Sequence, residues 1–199
     1  MRLIVGPAQA IKSLIIRSLL MGLCHQAGPK VQEILALDIK RWPSPCSAFV
    51  ERVENLFLAF PEFRSLFFYR IKVRNLRTVL LKRALPPMPT LFIGTPDIGP
   101  GLFLQHAFAT IISAKTIGRN CWINQQVTIG YTDDINTPVI GDDVTIGAGA
   151  LVLGGILVGD RVKIGAGAVV VKSVPPDCTV VGNPAYVVRR NGVRVTEKL

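Results

Sequence analysis

Two histidines, His25 and His106, are the side chains in this sequence best suited to exchange a proton near neutral pH. Such a group can take the proton from a hydroxyl as that hydroxyl attacks a carbonyl carbon. His25 lies in helical text and is read as incidental. His106 lies between Gln105 and Ala107, five residues after a turn glycine, Gly101. A lone histidine is more often structural than catalytic, so its role depends on the pattern around it. The four cysteines, Cys24, Cys46, Cys121 and Cys178, are widely spaced without a C-x-x-C pair. That spacing suggests neither a zinc site nor a disulfide framework, and the thiols are read as reduced and partly buried. Cys121 has no base beside it in the sequence, which argues against a nucleophilic role.

The rest of the chain must hold His106 in place. It has 199 residues, 49% of them hydrophobic and 18% charged, enough for one sizeable core or two small modules and too apolar for wholesale disorder. The formal charge of +10 is unevenly placed. Residues 1–90 hold 14 basic and 5 acidic side chains, against 9 and 8 in residues 91–199. A basic segment is a nucleic-acid signal, yet no helix-turn-helix or zinc pattern accompanies it, so no nucleic-acid partner is expected. The longest uncharged stretches, Ile98–Ala114 and Val144–Gly159, are too short and too broken to span a membrane. Arg17 interrupts the apolar centre that a signal peptide would need, and the chain is read as cytoplasmic.

Up to about Leu85, apolar residues recur at three- and four-residue spacing. The spacing predicts helices over about residues 8–24, 30–41, 46–59 and 62–83, with Pro61 opening the last and Pro86, Pro87 and Pro89 ending the region. Beyond it the period becomes six. Aliphatic residues recur at Ile98, Leu104, Ile111, Ile117, Ile123, Ile129, Ile140, Ile146, Val152, Val158, Ile164 and Val170. The step from Leu104 to Ile111 is seven, and the step from Ile129 to Ile140 is eleven and contains residues 131–138. A period of six fits a three-sided prism in which three short strands make each coil and the aliphatic residue points inward. Gly, Asn and Asp accept the turns at its corners. Residues 92–175 give between four and five coils.

With this repeat, Gly101-Leu-Phe-Leu-Gln-His-Ala107, Ile117-Gly-Arg-Asn-Cys-Trp-Ile-Asn-Gln-Gln-Val-Thr-Ile-Gly130, Ile146-Gly-Ala-Gly-Ala150 and Val181-Gly-Asn-Pro-Ala185 resemble hexapeptide-repeat acyltransferases, in the serine acetyltransferase-like branch that includes O-acetyltransferases of surface-polysaccharide synthesis. The resemblance implies a left-handed parallel β-helix preceded by an N-terminal α-helical region. It also implies direct acetyl transfer from acetyl-CoA to a hydroxyl, with His106 as general base and no metal. By motif position, Gly130, Tyr131, Thr132, Gly147, Ala148 and Ala166 would line the thioester and pantetheine, with Lys163 and Lys172 near the nucleotide phosphates. The family builds its sites between subunits, which implies a homotrimer or a dimer of trimers. A β-helix carbonic anhydrase would need three histidine ligands, and the chain has two histidines. A non-catalytic β-helix scaffold is the other alternative, and would leave His106 without a function.

The candidates for acceptor contact are Gln105, Asn136 and Thr137, and here the chain departs from its serine-using relatives. Those carry aspartate fifteen residues before the histidine and again just before it, where this chain has Leu91 and Gln105. In place of their Asp-Arg-His-Pro it reads Ile135-Asn-Thr-Pro138. A neutral amide replaces neither the charge nor the fork of a guanidinium. The departures point to a sugar hydroxyl, in a surface-polysaccharide or glycolipid precursor, with L-serine as the alternative acceptor. The expected division is a basic helical region over 1–90, a catalytic β-helix over 91–185 and a tail over 186–199. The helical region would serve oligomerisation or, through a face carrying Arg70, Arg74 and Arg77, peripheral contact with the inner membrane surface.

Overall fold

The three- and four-residue spacing becomes five helices among the described residues: α1 (Pro7–Ala27), α2 (Pro29–Arg41), α3 (Phe49–Ala59), α4 (Pro61–Ile71) and α5 (Leu76–Ala84). The structure is a computed structural model describing residues 7–133 and 136–199. Its residues fall into two units, Met1–Pro87 and Met88–Leu199.

In the helical unit Leu20, Leu35, Leu56, Phe57, Phe63 and Phe67 are fully buried, each contributing roughly 1.5–3 kcal/mol on removal from water. Edge-on aromatic contacts order this core, with ring centroids of Phe57 and Phe67 5.3 Å apart and those of Trp42 and Phe63 5.2 Å apart. The guanidinium of Arg70 grips Asp38 with two hydrogen bonds, at 2.8 and 3.1 Å, both side chains being buried. Arg52 donates to the carbonyls of Cys46, Ile39 and Trp42 at 3.0, 2.7 and 3.0 Å, closing the C-terminus of α2.

The single helix expected over 62–83 is two helices. Lys72 turns into the left-handed region at φ 51°, and the side chain of Asn75 accepts the Thr78 amide at 3.0 Å to start α5. Arg70, expected on an exposed cationic face, is instead inside. None of the described helices is long and apolar enough to cross a membrane.

The period-six text forms a β-solenoid of about five turns, matching the left-handed hexapeptide-repeat β-helix. The first coil is β1 (Leu91–Ile93), β2 (Asp97–Ile98) and β3 (Phe103–Leu104); the second is β4 (Thr110–Ile112), β5 (Thr116–Ile117) and β6 (Trp122–Ile123). The third is β7 (Thr128–Gly130), β8 (Val139–Ile140) and β9 (Thr145–Ile146); the fourth is β10 (Leu151–Leu153), β11 (Leu157–Val158) and β12 (Lys163–Ile164). The fifth is β13 (Val169–Val170), a bridge from Val158 to Val174, and β14 (Cys178–Val181). Strands of successive coils pair in parallel into three faces: β1-β4-β7-β10-β13, β2-β5-β8-β11, and β3-β6-β9-β12-β14. These are called the first, second and third faces below.

Ile98, Leu104, Ile123, Ile129, Ile146, Val152, Ile164 and Val170 fill the axis of the prism. One expected inward position is outward. Ile111 is 45% exposed, while Ile112 is fully buried and registers with Ile93 and Ile129. The steps around it are therefore eight and five residues, and the extra backbone lies at 105–109. Residues 186–199, expected as a tail, form β15 (Tyr186–Arg190) and β16 (Val193–Lys198), an antiparallel hairpin continuing the third face from β14.

Candidate active site

The extra residues, in the turn from the first coil into the second, carry His106. The amide of Ala107 donates to the Gln105 carbonyl at 2.7 Å, closing a three-residue turn with His106 at its tip. His106, Ala107 and Ala109 have φ of 62°, 40° and 50°, three non-glycine residues in the left-handed region within four positions. Such conformations are costly, and they cluster where a site needs a side chain at a fixed position. The strain here pushes His106 out of the prism into an exposed position. Its imidazole makes no hydrogen bond with any described residue, and Leu91, where the serine-using relatives carry an aspartate, sits half-buried in β1 beside Thr110. A ring with a free nitrogen lone pair and no fixed partner can accept a proton.

The edge where the third face turns into the first forms a column. From coil to coil, the Gln126 amide donates to the Phe108 carbonyl at 2.9 Å, that of Gly149 to Gln125 at 3.0 Å, and that of Gly167 to Ala148 at 2.9 Å. His106 stands at one end of this edge, with Gly147 and Ala148 two coils on and Ala166 three coils on, about 14 Å at the usual strand spacing. At Gly147 an added Cβ would lie 2.6 Å from the Ala166 amide nitrogen, so only glycine lets the coils close here. Lys163 is exposed on β12, just before this edge.

The other candidates lie across the first face. Gly130, Tyr131 and Thr132 open the eleven-residue step at the edge between the first and second faces, and Lys172 lies on that edge three residues after Val169. Tyr131 is 60% exposed. The loop rests on the next coil, where Thr132 packs over Gly154, and Gly155 lacks the Cβ that would meet Asn136 at 2.9 Å. Asn136 is turned towards its own loop: its backbone amide donates to Asp133 Oδ1 at 2.7 Å and its side-chain amide to Oδ2 at 2.9 Å. Thr137 is half-buried beside it. Within one chain the structure brings His106, Gly147, Ala148 and Ala166 to one edge and Gly130–Thr132, Asn136, Thr137 and Lys172 to another.

A cavity of about 660 Å³ lies beyond the last coil, lined by Val169, Val171, Lys172, Tyr186, Lys198 and Leu199 among others. Lys172 Nζ donates to the Leu199 main-chain oxygen at 2.7 Å across it. Cys121 points into the prism, its thiol 3.3 Å from the Gly141 carbonyl and away from His106's exposed turn. Burial pushes the Cys24 thiol up to about 11, leaving it protonated and unreactive at neutral pH. Trp122 and Phe108 were not singled out by sequence reasoning. Trp122 donates its indole N–H to the Gln105 amide oxygen at 3.1 Å, and Phe108 is 46% exposed beside His106. Trp122's outward place in its hexad, paired with Phe103, was the available signal.

Coil geometry and repeat define the class: this is a hexapeptide-repeat protein of the left-handed parallel β-helix kind. Residues 137–172 match the bacterial transferase hexapeptide family (six repeats). The serine acetyltransferase of Synechococcus elongatus is 38% identical over 71% of this chain and 62% of its own length. The chain thus spans about three-fifths of that curated relative. A Neisseria gonorrhoeae serine acetyltransferase solved in complex with serine superposes with a TM-score of 0.65 at 29% identity, over 90% of this chain and 77% of that one. A serine acetyltransferase solved in complex with CoA gives 0.65 at 28% identity, over 88% of this chain and 83% of that one. These likenesses overturn the expectation of a sugar acceptor in polysaccharide synthesis. The match of the whole repeat outweighs the polar departures at Leu91, Gln105 and Asn136, and the relatives favour the alternative acceptor, L-serine.

Proposed function

We propose that the protein is an acetyl-CoA-dependent serine O-acetyltransferase. The observation that carries this reading is His106, exposed at the tip of a strained turn and without a hydrogen-bond partner among the described residues, at one end of the edge that also carries Gly147, Ala148 and Ala166. One nitrogen of His106 accepts the serine hydroxyl proton as that oxygen attacks the thioester carbonyl. The tetrahedral intermediate collapses, the C–S bond breaks, and the CoA thiolate leaves and takes up the proton. The products are O-acetylserine and CoA. Acyl-cysteine chemistry has no part in it, because Cys121 is inside the prism.

Acetyl-CoA lies along Gly147, Ala148 and Ala166, with Gly130, Tyr131 and Thr132 closing over the pantetheine. Lys163 and Lys172 meet the nucleotide phosphates, Lys172 from the rim of the 660 Å³ cavity. Gln105, Asn136 and Thr137 face the acceptor. Because the two groups of residues occupy opposite edges of one chain's first face, two copies supply one edge each. The outward column of that face supports a trimer: Phe92 (59% exposed), Ile111, Leu151 and Val169 register with one another through Thr128, and they are apolar surface that a neighbouring copy would remove from water. The four cysteines are all free, which fits work in the reducing cytoplasm.

The test is thiol release from acetyl-CoA with L-serine, run beside His106→Ala. The expected result is serine-dependent turnover that falls about 10²–10⁴-fold in the variant, with acetyl-CoA binding retained. Wild-type protein that binds acetyl-CoA yet releases no thiol with serine overturns the reading, as does a variant with unchanged turnover.

A further inference from the structure

We infer that Trp122 fixes the polarity of the acceptor site by locking the amide of Gln105, so that Gln105 presents N–H donors to the acceptor's carboxylate; the inference rests on the serine reading above. The serine-using relatives carry an aspartate just before the histidine, a group that only accepts hydrogen bonds. Gln105 could act either way, since a carboxamide has an acceptor end and a donor end that differ by a flip of the side chain.

Trp122 decides between them. An indole N–H can only donate, so the atom 3.1 Å from it is the amide oxygen of Gln105, and the NH₂ group is the end left over. Among the described residues that NH₂ donates to no protein group. The lock is itself held at both ends. The Trp122 ring packs on Phe103 with centroids 5.5 Å apart, its registered neighbour on the third face. The Gln105 amide nitrogen of the main chain donates to Ile123 at 2.9 Å, and its carbonyl accepts from Ala107 to form the turn that carries His106. Gln105 and His106 are therefore consecutive residues of one hydrogen-bonded turn, the first with its amide oriented by Trp122. Asn136 lies in the loop where the relatives place an arginine. Asn136 already donates to Asp133 through its main chain and its side chain, and it offers no positive charge. The carboxylate of serine then needs donors from elsewhere, and Gln105 supplies them.

The test compares wild type, Gln105→Glu and Trp122→Phe with L-serine and with L-serinamide, whose carboxylate is replaced by a neutral amide. The carboxylate introduced by Gln105→Glu can still accept from Trp122 but meets the serine carboxylate with like charge. Gln105→Glu is expected to raise KM for serine at least ~10-fold with kcat within about threefold, and to shift relative kcat/KM towards serinamide by a similar factor. Trp122→Phe keeps the ring and frees the amide, and is expected to raise KM for serine several-fold with kcat unchanged. Serine KM unmoved in both variants overturns the inference, as does loss of kcat alone, which a merely structural role would give. The lock has its own readout in the Trp122 indole N–H resonance, assigned by its absence in Trp122→Phe. A shift of that resonance in Gln105→Leu supports the lock even if serine is not turned over, in which case the serine reading fails separately; an unmoved resonance overturns the lock.

Discussion

His106 is informative because its surroundings are expensive to maintain. Three left-handed non-glycine residues fall within four positions, where the regular corners at Asn120, Gln126, Asp143 and Arg161 each use one, and the cost is borne by coils packed on either side. Cys121 is the counterexample, a residue with reactive chemistry in a position that denies it. It sits in the prism with its thiol directed at main-chain carbonyls, so Cys121→Ala should keep serine acetylation within about twofold while costing about 1–2 kcal/mol of stability in chemical denaturation. Loss of turnover in a folded Cys121→Ala would mean that a covalent route exists. The inward place of Cys121 was legible in the sequence, because the hexad period distinguishes inward from outward positions. That Gln105 is held by Trp122 was not, since the contact joins positions 17 apart across two coils.

At the scale of elements, each unit depends on contacts of a different kind. In the β-helix the coils approach so closely that a methyl group at Gly147 would lie 2.6 Å from main-chain atoms of the next coil. Gly147→Ala should therefore lower stability by about 2–4 kcal/mol and weaken acetyl-CoA binding together, measured by thermal melting and by titration of the cosubstrate. In the helical unit the buried Arg70–Asp38 pair joins α4 to α2. Removing one partner leaves a buried charge unpaired, so Asp38→Ala should cost about 3–5 kcal/mol, whereas replacing both side chains by apolar ones of similar size should cost far less. Equal losses in the single and double variants would show that the pair does more than neutralise itself. Sequence periodicity found these helices but joined α4 to α5, because the break at Lys72–Asn75 contains neither Gly nor Pro. Asn75, three residues before Thr78, was the cap that marked it.

At the scale of the whole molecule, the two edges that carry the candidate site belong to opposite sides of one apolar face. The expected assembly is a trimer of about 65 kDa, three times the 21.6 kDa chain, and light scattering checks it. Ile111→Asp, on the outward column, should give monomers that retain β structure by circular dichroism and lose serine acetylation. A monomeric variant with full activity would confine the site to one chain.

The sequence by itself determined the prism, its period and the candidate base, because a β-helix writes its fold locally: every sixth residue must be apolar and every corner must accept a turn. It also showed that residues 1–90 differ from the rest in period and charge. Only the tertiary structure decided that Ile112 rather than Ile111 faces inward, that Arg70 is buried against Asp38, that residues 186–199 extend the third face, and which end of the Gln105 amide is free. Each of these turns on a partner many residues away, and one-dimensional spacing carries no information about which distant group a side chain will meet.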